Sequence, residues 1–257
     1  MGISNHLYIL TGASRGLGAA MAERLLKPGH SLICISRSTN AGLARVADSQ
    51  GAQLVQWQQD LADGPAVSRR VDDWLALQSA DRFASATLIN NAGVLARIAP
   101  LRDATAADLA NALRVGLEAP MLLTAAFLNG TRHWSVPRKV LNISSGLGRR
   151  PQASQAPYCA AKAGMDLFTQ AVALEEAGQP NPARLCSLAP GVIDTDMQVQ
   201  MRAPDAGRFP DVNRYAQLHE EGLLSTPESA ADAVIAVLNR ADFGSQPVAD
   251  VREQPAT

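Results

Sequence analysis

Short apolar segments alternate with longer helical ones over most of this chain, and that alternation leaves few architectures open to it. Leu7-Tyr8-Ile9-Leu10, Ser31 to Ser36, Gln53 to Trp57, Ala86 to Asn90, Lys139 to Ser144 and Arg184 to Leu188 read as strands. Helical patterns fill the intervals: Ala19 to Leu26, Ala41 to Ser49, a face of Val67, Val71, Trp74 and Leu75, Ala106 to Leu128, and Gln155 to Ala177. Pro227 to Asn239 reads as a last helix and Val248 to Val251 as a last strand, with residues 253–257 expected to fray. Strands spaced this way pair in parallel through right-handed crossovers. Their continuous rather than alternating apolar character implies a sheet covered on both faces. The expectation is a single α/β domain over 1–257, doubly wound, with about seven mostly parallel strands and helices on both faces.

Ligands bind such sheets at the carboxyl ends of the strands, and the chemistry-bearing residues fall there. After the first strand the chain reads Thr11-Gly12-Ala13-Ser14-Arg15-Gly16-Leu17-Gly18 and then turns helical. Glycines at that place let the backbone approach a diphosphate, whose charge is favoured at a helix N-terminus. The spacing is Gly-x-x-x-Gly-x-Gly rather than the commoner Gly-x-Gly-x-x-Gly, and by itself it also fits a ligand-free strand-to-helix turn. Further on, Tyr158 and Lys162 stand four residues apart on a helix, so they share a face and an ammonium sits beside a phenol. A neighbouring cation favours phenolate, and on that ground the tyrosine is expected below its ordinary pKa. The Ser144-Ser145 pair precedes them by one loop.

These segments together resemble the short-chain dehydrogenase/reductase family over about residues 5–240. Thr11 to Gly18 matches its cofactor turn, Asn90-Asn91-Ala92-Gly93 its strand-four motif, Ser145, Tyr158 and Lys162 its catalytic residues, and Pro190-Gly191-Val192-Ile193-Asp194-Thr195 its nicotinamide-side segment. The resemblance implies a Rossmann domain and hydride transfer with a nicotinamide cofactor. Gly12, Ser14, Arg15, Gly16, Leu17 and Gly18 would cradle that cofactor. Asp60 and Leu61 would meet the adenine edge, Asn91, Ala92 and Gly93 the adenosine ribose side, with Asn90 structural. Tyr158 would also touch the cofactor, Lys162 would hold its nicotinamide ribose, Pro190 and Gly191 would line its nicotinamide side, Ile193 would present backbone to the carboxamide, and Thr195 would reach the diphosphate. Thirteen residues separate Ser145 from Tyr158, the family's usual interval, which selects Ser145 over Ser144.

The end of the second strand reads Ser36-Arg37, with no carboxylate to accept from a ribose hydroxyl, and Arg15 lies inside the glycine turn. Two guanidiniums there suit a 2′-phosphate, so NADP(H) is expected as cofactor. One family feature is missing: the helix after strand four usually carries an asparagine that helps hold a relay water, and Gly116 stands in its place. Asn111 lies about 140° round the helix and is a poor substitute.

Residues 196–226 lack strong periodicity and follow the cofactor edge, which points to a substrate lid or to a passive surface excursion. The C-terminal part lacks the glycine pair of acyl-carrier-protein reductases and looks like the sepiapterin- and benzil-reductase branch. A small or aromatic ketone or aldehyde is therefore the expected partner, a vicinal diketone or a pteridine side chain among them, with a 3-oxoacyl thioester, a steroid-like alcohol, or a cofactor-binding sensor with little turnover as alternatives.

Formal net charge is −1 with both signs interspersed, which leaves no basic stripe for nucleic acid and no polybasic membrane patch. No apolar run approaches the ~20 residues of a membrane span, and no charged and then apolar leader opens the chain, so a cytoplasmic enzyme is expected. Cys34, Cys159 and Cys186 have no metal-ligand spacing and read as reduced thiols, and the four histidines lie outside every motif, so no metal site is expected. Ala160, Ala161, Ala163 and Gly164 would let a second copy approach closely, or would pack internally. A homodimer or homotetramer is what the resemblance implies.

Overall fold

The computed structural model of the chain describes residues 5–253. Seven strands form one sheet in the order β3-β2-β1-β4-β5-β6-β7, and every pairing is parallel. They are β1 (His6–Thr11), β2 (His30–Ser36), β3 (Gln53–Gln58), β4 (Ser85–Asn90), β5 (Arg138–Ile143), β6 (Arg184–Ala189) and β7 (Val248–Asp250). The helices are α1 (Gly16–Leu25), α2 (Ala41–Gln50), α3 (Gly64–Ala76), α4 (Ala106–Leu113), α5 (Ala119–Gly130), α6 (Ala156–Ala177), α7 (Asp196–Arg202), α8 (Val212–Glu220) and α9 (Pro227–Leu238). The fraying expected of the tail beyond residue 253 lies outside the described residues.

Strand periodicity divides the core. In β1, Leu7 and Ile9 face α3, α5 and α6 with Val67, Val71, Leu123, Phe127 and Val172, while Tyr8 and Leu10 face α1, α2 and α9 with Met21, Leu25, Leu43 and Val234. Leu7, Ile9 and Leu10 are each 0 % exposed, and each such side chain contributes about 1.5–3 kcal/mol on burial. That is why the central strands read as unbroken apolar runs.

Two segments differ from expectation. The helix foreseen from Ala106 to Leu128 is broken by a π-helical turn over Arg114–Glu118, centred on Gly116. The break brings small residues into contact: a Cβ on Gly116 would stand 3.1 Å from Ala161 Cβ, and one on Gly164 would stand 2.9 Å from Leu117 Cδ2. Ala161 and Gly164 of α6 thus pack against the π turn, whereas Ala160 and Ala163 face outward. The 196–226 segment is also more ordered than its pattern implied. It forms α7 and α8 around its own small core of Met201, Phe209, Val212 and Tyr215, which leans on Leu95 and Ile98. Its two ends are tied together, since Asp194 N donates to Ser225 O and Ser225 N donates to Val192 O.

Candidate active site

Gly12, Arg37, Asp60, Asn91, Ser145 and Pro190 lie just past β1, β2, β3, β4, β5 and β6, all along the carboxyl edge of the sheet. The reversal of strand order between β1 and β4 opens a crevice at that edge, the place where doubly wound sheets take their ligands.

The glycine turn is folded tightly on itself. Gly12 has φ +70°, and a Cβ there would stand 2.9 Å from Ala92 Cα, while a Cβ on Gly18 would overlap the Gly12 carbonyl oxygen. Asn91 closes the turn from below, its Nδ2 donating to Thr11 O at 2.9 Å and Gly12 O at 3.2 Å. Thr11 Oγ1 accepts in return from the backbone of Asn91 and Ala92. Asn91 therefore holds the turn in shape, a role its sequence position did not reveal. Helix α1 starts from an extended Arg15 with no side-chain cap among the described residues. Helices α2, α3, α4 and α9 are capped by Asn40, Asp63, Thr105 and Thr226. Uncapped N–H groups beside crowded glycines fit a diphosphate, and in this respect the residues suit a dinucleotide.

Around this turn, Asn40 Nδ2 donates to Ser14 O, and Gln56 of β3 clasps both the N–H and the carbonyl of Asn40. Sequence reasoning passed over both residues, because a cap in a polar loop carries no motif. Arg37 is exposed beyond β2. Arg15 is engaged: it pairs with Asp196 at the start of α7 at 2.6 Å. Both partners are largely exposed, and such a pair is worth only about 0–1 kcal/mol, so it leaves Arg15 free to change partner. Asp60 is exposed and accepts from Ala62 N within its own turn, while Leu61 is buried beneath it. After β6, Gly191 at φ +85° bends the chain, Ile193 bridges to Ser225, and Thr195 brings its methyl opposite Gly16.

Ser145, Tyr158 and Lys162 converge between β5 and α6. Ser145 Oγ accepts from Leu147 N at 3.2 Å, which leaves its own proton available. Lys162 is buried and donates to Ile143 O at 2.6 Å, with Nζ 5.7 Å from the centre of the Tyr158 ring. Gly93 lies against the same ammonium. Ser144, the serine not selected, donates to the buried Asp166 at 2.6 Å and so is turned away from the site. Asn90 bonds Thr124 and Asn142 inside the sheet, the structural role expected of it.

The expectation that Lys162 lowers the Tyr158 pKa is not met. Desolvation pushes the phenol up to about 12, with Ser145 as the opposing influence. The physical reason is burial, which outweighs the neighbouring ammonium, itself bonded to a backbone carbonyl. Lys162 itself is pulled down to about 8 by burial, against the attraction of Asp166. A phenol that keeps its proton at neutral pH suits a general acid.

The 196–226 segment docks on the loop that precedes α6. Tyr215 Oη donates to Gln152 Oε1 at 2.8 Å, Gln152 Nε2 donates to Asp211, and Ser154 Oγ donates to Arg208 O. Gln155 Nε2 meets Met201 Sδ at 3.2 Å. Residues 152–155 lead straight into α6 and Tyr158, so this segment and α6 share one support.

Comparison with known proteins agrees with this geometry. A model of the family described as short chain dehydrogenase matches residues 6–206. The chain belongs to the short-chain dehydrogenase family. A benzil reductase ((S)-benzoin forming) of Bacillus cereus is 37% identical over 235 residues, covering 91% of this chain and 94% of the relative. Sepiapterin reductase of Meriones unguiculatus is 32% identical over 256 residues, covering 95% of each. Among solved structures, a metagenomic short-chain oxidoreductase in complex with NADP superposes with TM-score 0.73 at 25% identity over 99% of both chains. The sepiapterin- and benzil-reductase branch is thus the one these relatives occupy.

This short-chain dehydrogenase is an oxidoreductase of a family that uses nicotinamide cofactors. It departs from the family pattern at Gly116, and Asn111, exposed on α4, supplies no replacement amide at the site. Cys34 and Cys186 are buried, which pushes both thiols up to about 12, as befits compact apolar residues. Among the described residues no group of three or more His, Cys, Asp or Glu could hold a metal, and no helix is long and apolar enough to cross a membrane.

Proposed function

We propose that this protein is an NADPH-dependent carbonyl reductase that acts on small or aromatic ketones, vicinal diketones such as benzil first among them. The observation that carries the reading is the convergence of Ser145, Tyr158 and Lys162 at the carboxyl edge, beside a glycine turn crowded enough to admit only backbone.

A bound reduced nicotinamide supplies the hydride. Gly12, Ser14, Gly16, Leu17 and Gly18 would hold its diphosphate, Asn91, Ala92 and Gly93 its adenosine ribose side, Asp60 and Leu61 its adenine edge, and Pro190, Gly191, Ile193 and Thr195 its carboxamide side. Arg15 and Arg37 would take the 2′-phosphate through charge-assisted forks. Tyr158 gives its phenolic proton to the carbonyl oxygen of the substrate as that oxygen gains charge. Ser145 donates to the same oxygen and stabilises the charge where it develops. Lys162 keeps positive charge beside the phenol and holds the end of β5 through Ile143 O. The 196–226 segment, resting on Gln152 and Ser154, closes the volume above Tyr158 as a substrate lid.

Support for the substrate class comes from the benzil and sepiapterin reductases, which span nearly the whole chain. NADPH absorbance should fall with benzil or a small aromatic diketone, and with sepiapterin to a lesser degree. Activity on 3-oxoacyl thioesters without diketone reduction would reverse the order of substrates. Tight NADPH binding with no consumption across the panel would make the protein a sensor.

A further inference from the structure

Helix α6 carries a third chemistry-bearing residue on the stripe that presents Tyr158 and Lys162. Asp166 lies one turn beyond Lys162, at i+8 from the tyrosine, and is 5 % exposed. Three donors converge on it. Ser144 Oγ and Ser187 Oγ each reach Oδ1 at 2.6 Å, and Arg149 Nε reaches Oδ2 at 3.2 Å. Arg149 also ties β7 to this point by donating to Ala249 O at 2.7 Å. Gly148 makes room for the assembly, since a Cβ there would stand 2.9 Å from Lys162 C and 3.1 Å from Asp166 Oδ2.

The consequence for the site follows from chain order. Ile143, Ser144 and Ser145 are consecutive at the end of β5. Helix α6 grips the first through Lys162 Nζ and the second through Asp166, so the third has its backbone position set from two sides. A buried carboxylate that accepts three bonds is costly to assemble and leaves its acceptors filled, which fixes the groups around it. We propose that Asp166 is a positioning residue of the reductase site, acting through Ser144 to place Ser145 and through its charge on Lys162. The proposal rests on the carbonyl-reductase reading of that site.

The charge route has few participants. Tyr158 and Asp166 flank Lys162 on its own helix, and β5 and the segment after β4 offer it the Ile143 carbonyl and the Gly93 backbone. Around Asp166 stand Arg149 from the turn after β5, and Ser187 and Cys186 of β6. Burial lowers Lys162 and Asp166 opposes that lowering, so removal of the carboxylate charge moves Lys162 further down.

The chain has three lysines, so ¹³Cε-lysine labelling of the full-length protein yields three signals, and Lys162→Met assigns the one of interest. In Asp166→Asn the Lys162 signal should titrate about one pH unit lower than in the wild type. With benzil and NADPH, kcat should fall at least tenfold while both KM values stay within threefold. A folded Asp166→Asn with either an unmoved Lys162 titration or wild-type kcat overturns the proposal. If that variant does not fold, Ser144→Ala decides, because it leaves the carboxylate in place. It should lose at least threefold in kcat with the Lys162 titration unmoved, and wild-type kcat overturns the proposal. A wild-type protein that reduces no carbonyl defeats the reductase reading, and the titration then judges Asp166 by itself.

Discussion

Tyr215 of α8 donates its hydroxyl to Gln152 Oε1 at 2.8 Å, which fastens the 196–226 segment to the loop that leads into α6. The ring stacks at a tilt on the fully buried Phe209, so the phenol is both anchored and packed. Tyr215→Phe keeps the packing and removes one neutral hydrogen bond, worth about 1 kcal/mol. The expected result is a KM for the carbonyl substrate raised several-fold with kcat within threefold of wild type, read from steady-state kinetics. An unchanged KM would show that the segment does not cover the substrate.

Lys162 sits at about 8 against an ordinary 10.5 because it is buried. Between those two values the unfolded chain binds more protons than the folded one. The ammonium therefore destabilises the fold in full below about pH 8, and the penalty is released as pH climbs toward 10.5. The displacement corresponds to roughly 3 kcal/mol, and the charge-assisted bond to Ile143 O that a substitution removes is worth about 1.5–3 kcal/mol in the opposite direction. Lys162→Met should thus melt near wild type at pH 7 and fall below it at pH 10, in calorimetry. Turnover of the wild type should decline as pH rises through about 8, where Lys162 gives up its charge.

Arg37 and Arg15 are proposed to select the phosphorylated cofactor. A charge-assisted bond contributes about 1.5–3 kcal/mol, so Arg37→Ala should raise KM for NADPH at least tenfold and leave KM for NADH nearly as it was. Asp196→Asn frees Arg15 from its ion pair and should lower KM for NADPH modestly, by less than fivefold. Equal losses with both cofactors in Arg37→Ala would remove this arginine from the 2′-phosphate assignment.

Gly116 is buried at the centre of a π turn, with Ala161 Cβ 3.1 Å from where its own Cβ would stand. Gly116→Asn restores the residue usual in the family, yet it overpacks this contact at about 1–3 kcal/mol. Ala161→Gly in the same chain should recover most of the lost melting temperature, a double-mutant cycle that reads the contact directly. Turnover of the double variant then reports what the amide adds. Equal turnover in double variant and wild type would mean that the site works fully without it.

The strands, their parallel pairing and the edge on which the motifs gather were all legible in the sequence. Apolar period and glycine spacing are local, and they bind each residue to its near neighbours in the chain. Helix period put Tyr158 and Lys162 on one face, whereas it was the resemblance to the family, not any local pattern, that joined Ser145 to them. The π turn at Gly116, the helices of the 196–226 segment, the hold of Asn91 on the glycine turn and the direction of the Lys162 ammonium came only from the tertiary structure. Each depends on a partner far away in sequence: Ala161 for Gly116, Gln152 for Tyr215, Thr11 for Asn91. Burial, too, is a property of the packed whole, and it turned the sign of the tyrosine shift that the Tyr158–Lys162 spacing had implied.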